Sequence, residues 1–190
     1  MFSTLVAYGL VGCFLVLERL ARQGREAMSL ESGPFDRGST VLLGGAFGAA
    51  MVALLLAPVL NAYQIGAMDH AAVGWAGIGL MVGGMALRFW AARALGRFYT
   101  RTLRLANDQP VIDRGPYKVL RHPGYSGDLL MWAGAGFATV NWVVATAVIV
   151  GMCGAYCYRI WCEEAMLRSA VGQPYETYRA RTWRLVPFVY

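Results

Sequence analysis

Charge is what this sequence has least of: 15% of its 190 residues are charged against 57% hydrophobic, and the mean hydropathy is +0.45. So little polar surface cannot cover a water-soluble core of this size, which excludes a soluble globular domain and makes the chain an integral membrane protein. Histidine is scarcer still, with His70 and His122 alone, and Cys13, Cys153, Cys157 and Cys162 lack paired ligand spacing. No metal site is therefore expected, and the cysteines read as apolar packing. No G-x-G-x-x-G follows a strand, and a soluble nucleotide-binding domain has no room, so any cofactor must be held by helix ends and loops. The formal net charge is +6. Basic residues scattered between long apolar runs are membrane orientation signals, so nucleic acid is set aside as a partner.

What is present are apolar runs. A hydrocarbon core of about 30 Å needs roughly 20 residues of helix, and five runs qualify: Phe2 to about Leu17, Thr40 to Leu60, Ala71 to Leu87, Pro123 to Val140, and Val143 to Tyr158, the last continuing as a more polar helix toward Ser169. Asn141-Trp142 reads as a tight interfacial turn. All 17 lysines and arginines fall in 18–38, 88–121 and 159–190, and none in 61–70 or 139–142. By the positive-inside rule the first three segments, the C-terminus and any site among them are cytoplasmic, with the N-terminus outside. The first run lacks a preceding basic region and a small-residue cleavage site, so it reads as a retained span. The expected fold is an all-α integral membrane bundle of about five spans, one domain over 1–190 with N-terminal spans in 1–65 and a cofactor-binding part in 66–190. Gly44/Gly48 and Gly79/Gly83 have small-xxx-small spacing, common in membrane helices of every function.

Two polar constellations remain. In VIDRGPYKVLRHPGYSG, Pro123 pushes His122 out of helical geometry and itself suits the first turn of a helix. The N–H groups of Gly124, Tyr125 and Ser126 are then orphan donors at a positive helix end, suited to a carboxylate. A basic interfacial helix start explains the same residues structurally. In YRIWCEEAML, Arg159 and Glu163 share a helix face, while Glu164 lies about 100° round and four before Arg168. Glu164–Arg168 reads as a surface pair; Arg159 reads either as one of a costly interfacial pair or as a snorkelling arginine. Together the segments offer N–H groups for the carboxylate of a zwitterion and Glu163 for its ammonium.

GPYKVLRHPGYSG at 115–127, NW at 141–142, RIWCEEAML at 159–167 and GQPYETYRARTWRLVPF at 172–188 resemble, in order and spacing, the isoprenylcysteine carboxyl methyltransferases, with the phospholipid N-methyltransferases as near kin. The resemblance covers the C-terminal half closely and the first two spans only in hydrophobic character. It implies an S-adenosylmethionine-dependent membrane methyltransferase with a cytoplasmic cofactor pocket made by the last two spans and the loop before them. Residue by residue it assigns cofactor contacts to Gln109, Pro110, Val111, Ile112, Tyr117, His122, Pro123, Gly124, Tyr125 and Glu163, and it makes Arg159 the catalytic position that faces an acceptor carboxylate. Gln109 departs from the family's usual histidine, and a further contact falls among Thr102 to Arg104. The implied acceptor is a prenylated, lipophilic thioether carboxylate. N-methylation of a phospholipid amine and a small non-enzymatic membrane subunit or transporter stand as alternatives, the latter opposed by span middles without charge.

Overall fold

The computed structural model describes residues 2–21, 33–99 and 111–189. Its described residues form helices α1 (Phe2–Ala21), α2 (Ser39–Ala62), α3 (Ala71–Leu95), α4 (Pro123–Ala138), α5 (Trp142–Val171) and α6 (Gln173–Ala180), with short 3-10 turns at Gly96–Phe98 and Gly115–Lys118. Four of these, Phe2–Leu20, Ser39–Ala62, Ala71–Leu95 and Trp142–Val171, are long and apolar enough to cross a bilayer. The remaining predicted span is α4, only 16 residues long, with eleven of them buried among its neighbours. Helices also outrun the sequence boundaries: α1 passes Leu17 to reach Ala21, and α3 passes Leu87 to reach Leu95.

Glycine decides how α4 sits. A methyl group at Gly84 would lie 2.5 Å from Gly127 O, one at Gly127 2.7 Å from Gly84 O, and one at Gly134 2.5 Å from Gly77 O. Four glycines, paired across the contact and seven residues apart on each helix, thus let the α3 and α4 backbones touch. They are not the pairs that the four-residue spacing singled out. Gly44, Gly48, Gly79 and Gly83 have open space where a side chain would project. Beside the glycines, Met81, Met131, Trp132, Met152 and Tyr156 fill the core.

At one end of the bundle the expected tight turn between α4 and α5 is locked by amides. Asn141 caps α5 by accepting from Val144 N at 3.0 Å, and its Nδ2 donates to Asn61 Oδ1 at 2.7 Å and Ile65 O at 2.8 Å. The other end gathers the close of α1, the start of α2, the close of α3, the start of α4 and the close of α5, joined by Glu18–Arg88 and Asp36–Arg159 pairs of 2.8 Å. After α6 the backbone returns to this end as a strap: Trp183 N donates to Val119 O at 2.9 Å, Arg121 N to Trp183 O at 2.7 Å and His122 N to Arg184 O at 3.2 Å.

Candidate active site

Pro123 occupies the first position of α4, and His122, non-helical and 5% exposed, is the N-cap residue without a side-chain cap bond. The first turn closes on itself: Tyr125 N and Ser126 N both donate to His122 O, at 3.0 and 3.1 Å. Two of the three N–H groups expected to await an anion are therefore already used. What the turn offers instead is aromatic and imidazole surface, because the His122 and Tyr125 rings lie 5.5 Å apart and within 6° of parallel. Tyr125 Oη donates to Glu163 Oε2 at 2.5 Å and accepts from Arg159 Nε at 3.4 Å, so one phenol joins the two charged residues that share a face of α5.

A cavity of about 690 Å³ opens on this cluster, within the range of small-molecule sites. Val111, Ile112, Tyr117, His122, Gly124, Tyr125, Arg159 and Glu163 all line it, which brings eight of the sequence-assigned residues to one place. Pro123 is buried behind them as the helix start. Gln109, Pro110 and the Thr102–Arg104 stretch lie outside the described residues. A methyl group at Gly124 would sit 2.9 Å from Arg88 Nη1, so the guanidinium would have to shift to admit it. Burial first, and Glu163 second, push the Tyr117 hydroxyl well above its ordinary value, so it remains a neutral donor. The walls exceed the expectation of two spans and a loop. Phe14 and Leu15 of α1, Val41, Gly44, Phe47, Gly48 and Met51 of α2, and Arg88 of α3 also border the cavity.

Three features escaped sequence reading. Glu164 does pair with Arg168, at 3.1 Å from Arg168 Nη2, but not at the surface: it is 2% exposed, and its oxygens also lie 3.1 Å from Arg121 Nε, 2.9 Å from Arg184 Nη2 and 3.5 Å from His122 Nε2. The second glutamate thus binds the strap, the loop before α4 and α5 together. No local pattern shows this, because Arg121 and Arg184 are remote in sequence. Arg159, in turn, reaches Asp36 Oδ1 at 2.8 Å, Ser39 Oγ at 2.9 Å and Thr40 Oγ1 at 2.8 Å, a clasp between α5 and the start of α2. Burial opposes the Asp36 charge, yet the Thr40 and Ser39 hydroxyls, the Thr40 amide and Arg159 outweigh it and hold the carboxyl below its ordinary value. The spacing D-x-x-S-T before an apolar run was the available signal, as a capping carboxylate.

The third feature is a buried polar cluster on the cavity's inner side. Arg88 pairs with Glu18 Oε1 at 2.8 Å and Asp128 Oδ2 at 3.3 Å, Tyr99 Oη donates to Glu18 at 2.6 Å, and Tyr156 Oη donates to Asp128. Glu18 and Arg88 had been placed just beyond the ends of spans and Asp128 within one. α1 and α3 run past those expected ends, so Glu18 and Arg88 meet Asp128 at the cavity end of the bundle.

The family model for phospholipid methyltransferases matches residues 73–173, half of the chain and the part that holds the α4 entrance and the Glu163 face. A probable protein-S-isoprenylcysteine O-methyltransferase of Oryza sativa subsp. indica is 29% identical over 137 residues, covering 71% of this chain and 68% of the relative. Protein-S-isoprenylcysteine O-methyltransferase B of Arabidopsis thaliana is 30% identical over 115 residues, 60% of this chain and 58% of that one. The solved structure of the eukaryotic intramembrane Ras methyltransferase, isoprenylcysteine carboxyl methyltransferase, superposes with a TM-score of 0.69 at 20% identity, covering 98% of this chain and 68% of that chain. The chain belongs to the phospholipid methyltransferase family, and its fold is that of the isoprenylcysteine carboxyl methyltransferase. It is a membrane methyltransferase, as the motifs at 115–127 and 159–167 implied.

Proposed function

We propose that the protein transfers a methyl group from S-adenosylmethionine to the carboxylate of a lipophilic acceptor, an S-isoprenylated cysteine or a similar thioether. One observation carries the reading: a single cavity joins a polar end, made by His122, Tyr125 and Glu163, to an apolar cleft between Phe14 and Leu15 on one side and Val41, Phe47 and Met51 on the other. The polar end suits the cofactor: Glu163 would hold its ammonium, and the Tyr117 and Tyr125 rings would offer aromatic surface to its base. The cleft suits a hydrocarbon chain. Methyl transfer then needs alignment and exclusion of water more than acid–base chemistry. S-adenosylmethionine held at the polar end would supply an electrophilic methyl group and a sulfur able to keep the electrons of the broken bond, so an ionised carboxylate acceptor would need no base among these residues. Arg159, between the two ends, is the residue proposed to orient the acceptor. That Arg159 already pairs with a carboxylate, Asp36 Oδ1 at 2.8 Å, supports this role.

In the same reading α4 is the fifth span, the cavity end of the bundle faces the cytoplasm by its arginines, and 1–190 works as one domain. Glu18 and Asp128 on the inner wall favour a second reading, a cationic amine as acceptor. The pH dependence separates them. Single-turnover transfer to a prenylcysteine should be flat between about pH 6 and 9, whereas an amine must lose a proton and its rate climbs. Transfer to phosphatidylethanolamine alone, rising with pH, would overturn the carboxylate assignment while leaving the cofactor site intact.

A further inference from the structure

We propose that segment 183–189 is a membrane-interface strap that seats on the anionic headgroups of the leaflet at the cavity end of the bundle, and that its backbone holds the α4 entrance in register. The seat depends on membrane insertion alone and not on the methyl-transfer reading.

The strap is two-faced. Leu185 is buried, and its carbonyl accepts from Ser126 Oγ at 2.7 Å, one turn into α4. Trp183, Val186, Phe188 and Val189 turn outward, with Phe188 85% and Val189 77% exposed. Exposed apolar side chains on α1 or α2 are answered by acyl chains along a span. These four lie on non-helical backbone, which cannot face the hydrocarbon core because its peptide groups would go unsatisfied. The depth that suits them is the interface, where aromatic rings and irregular backbone both find partners.

Continuity with the lipid-facing surface supports the same depth. Gly115 packs against the indole of Trp90, a residue 56% exposed on α3; exposed Val119 closes the 3-10 turn that Gly115 begins; and Leu120 pairs with Trp183, which contacts Phe188 at 5.5 Å between ring centroids. An apolar band thus runs from α3 across the turn to the strap. Arg93, Arg114 and Lys118 are exposed along it. Aromatic groups rimmed by cations match an anionic leaflet, since each basic residue near such a surface is attracted within about one Debye length. The strap's other face controls the α4 entrance: Arg184 O and Trp183 O accept from the His122 and Arg121 amides, and the Arg184 side chain reaches Glu164. Displacing the strap would free the backbone that positions His122.

The test uses the full chain with Cys13, Cys153 and Cys157, all exposed, replaced by serine, buried Cys162 kept, and a single cysteine at Phe188 or, separately, Val186. Each is labelled with an environment-sensitive fluorophore and placed in nanodiscs of phosphatidylcholine with or without phosphatidylglycerol. Nitroxide lipids report depth. The expected result is blue-shifted emission, quenching by headgroup and shallow-chain nitroxides but not by deep ones, stronger quenching with phosphatidylglycerol, and loss of that increment in Lys118→Gln. Water-like emission without quenching at both positions overturns the seat. Quenching indifferent to phosphatidylglycerol overturns its anionic preference. Disulfide formation between copies through position 188, without lipid quenching, would assign the face to a second copy of the chain and overturn the proposal.

Discussion

The adjacent glutamates have opposite duties, and substitution separates them. Glu163 meets the cavity, with the Tyr125 hydroxyl and His122 beside its carboxylate, so Glu163→Gln should weaken cofactor binding by about 1.5 to 3 kcal/mol, the range for a charged hydrogen bond, with little change in unfolding. Glu164→Gln removes the charge from a buried hub facing three arginines, and a loss of about 3 to 5 kcal/mol in stability is expected for breaking such a cluster. Calorimetric affinity together with thermal unfolding in detergent reads both effects; an unfolding midpoint unmoved by Glu164→Gln would show the hub to be dispensable. Arg159 gives a second pair of expectations. Arg159→Lys should lose most methyl transfer with cofactor affinity retained, because an ammonium cannot reproduce a guanidinium's fork. Asp36→Asn should loosen the clasp from the other side. The Asp36 carboxyl is depressed, so its contribution is fully present above its ordinary value near pH 4 and fades only as pH falls through the lower folded value. The unfolding difference between the wild type and Asp36→Asn should therefore be constant from neutral pH to about pH 5; a difference that appears only above neutral pH would show that another group sets it. Sequence pattern could reach Glu163 and His122, because their neighbours within four residues define a face and a helix start. It could not reach Asp36 or Glu164, whose partners are brought by folding from other elements.

At the level of elements, the hydrophobic runs located α1 to α5, missed the polar α6, and misjudged two things. The first is length: α1 and α3 run past the apolar runs, and there Glu18 and Arg88 pair with each other while Asp128 of a third helix takes another side of the Arg88 guanidinium. The second is which glycines pack. A four-residue spacing marks a generic close face, while the α3–α4 contact runs nearly parallel to both axes and so repeats at seven residues, as Gly77/Gly84 and Gly127/Gly134 do. Substitution distinguishes the two sets. Gly84→Ala places a methyl 2.5 Å from Gly127 O, backbone that cannot yield, and should destabilise the bundle, by about 1 to 3 kcal/mol for an overpacked contact. At Gly48 a Cβ would meet no atom within 4 Å, and the residue lines the apolar cleft, which is where the larger side chain of Gly48→Leu is directed. The substitution should leave folding and cofactor affinity intact and raise the KM of long-chain acceptors more than that of short-chain ones. Equal effects on both acceptors would place the hydrocarbon elsewhere.

For the whole molecule, aromatic residues give a measure of depth that is independent of charge. Trp75 and Trp142, 51% and 57% exposed, lie near the starts of α3 and α5, whereas Trp90 and Trp161, 56% and 54% exposed, lie toward their cavity ends. At 1.5 Å per residue the separations are about 22 Å along α3 and about 28 Å along α5, close to a hydrocarbon core of about 30 Å. Indoles favour the two interfaces. The four rings therefore mark two planes, with the Asn61–Asn141 lock at one and the cavity mouth at the other. Arginine asymmetry then selects the side, since the loops at the lock carry no basic residue and those at the cavity carry many. Cysteines placed singly at exposed His70 and exposed Thr177, in the background lacking Cys13, Cys153 and Cys157, test the selection. A membrane-impermeant maleimide added to intact cells should label position 70 and spare position 177, and permeabilised cells should label both. Labelling of 177 in intact cells would invert the bundle and put the cofactor mouth outside, where a cytosolic methyl donor cannot reach it. The interfacial strap and the depth planes would survive that result, because neither depends on which side is which; the proposed reaction would not.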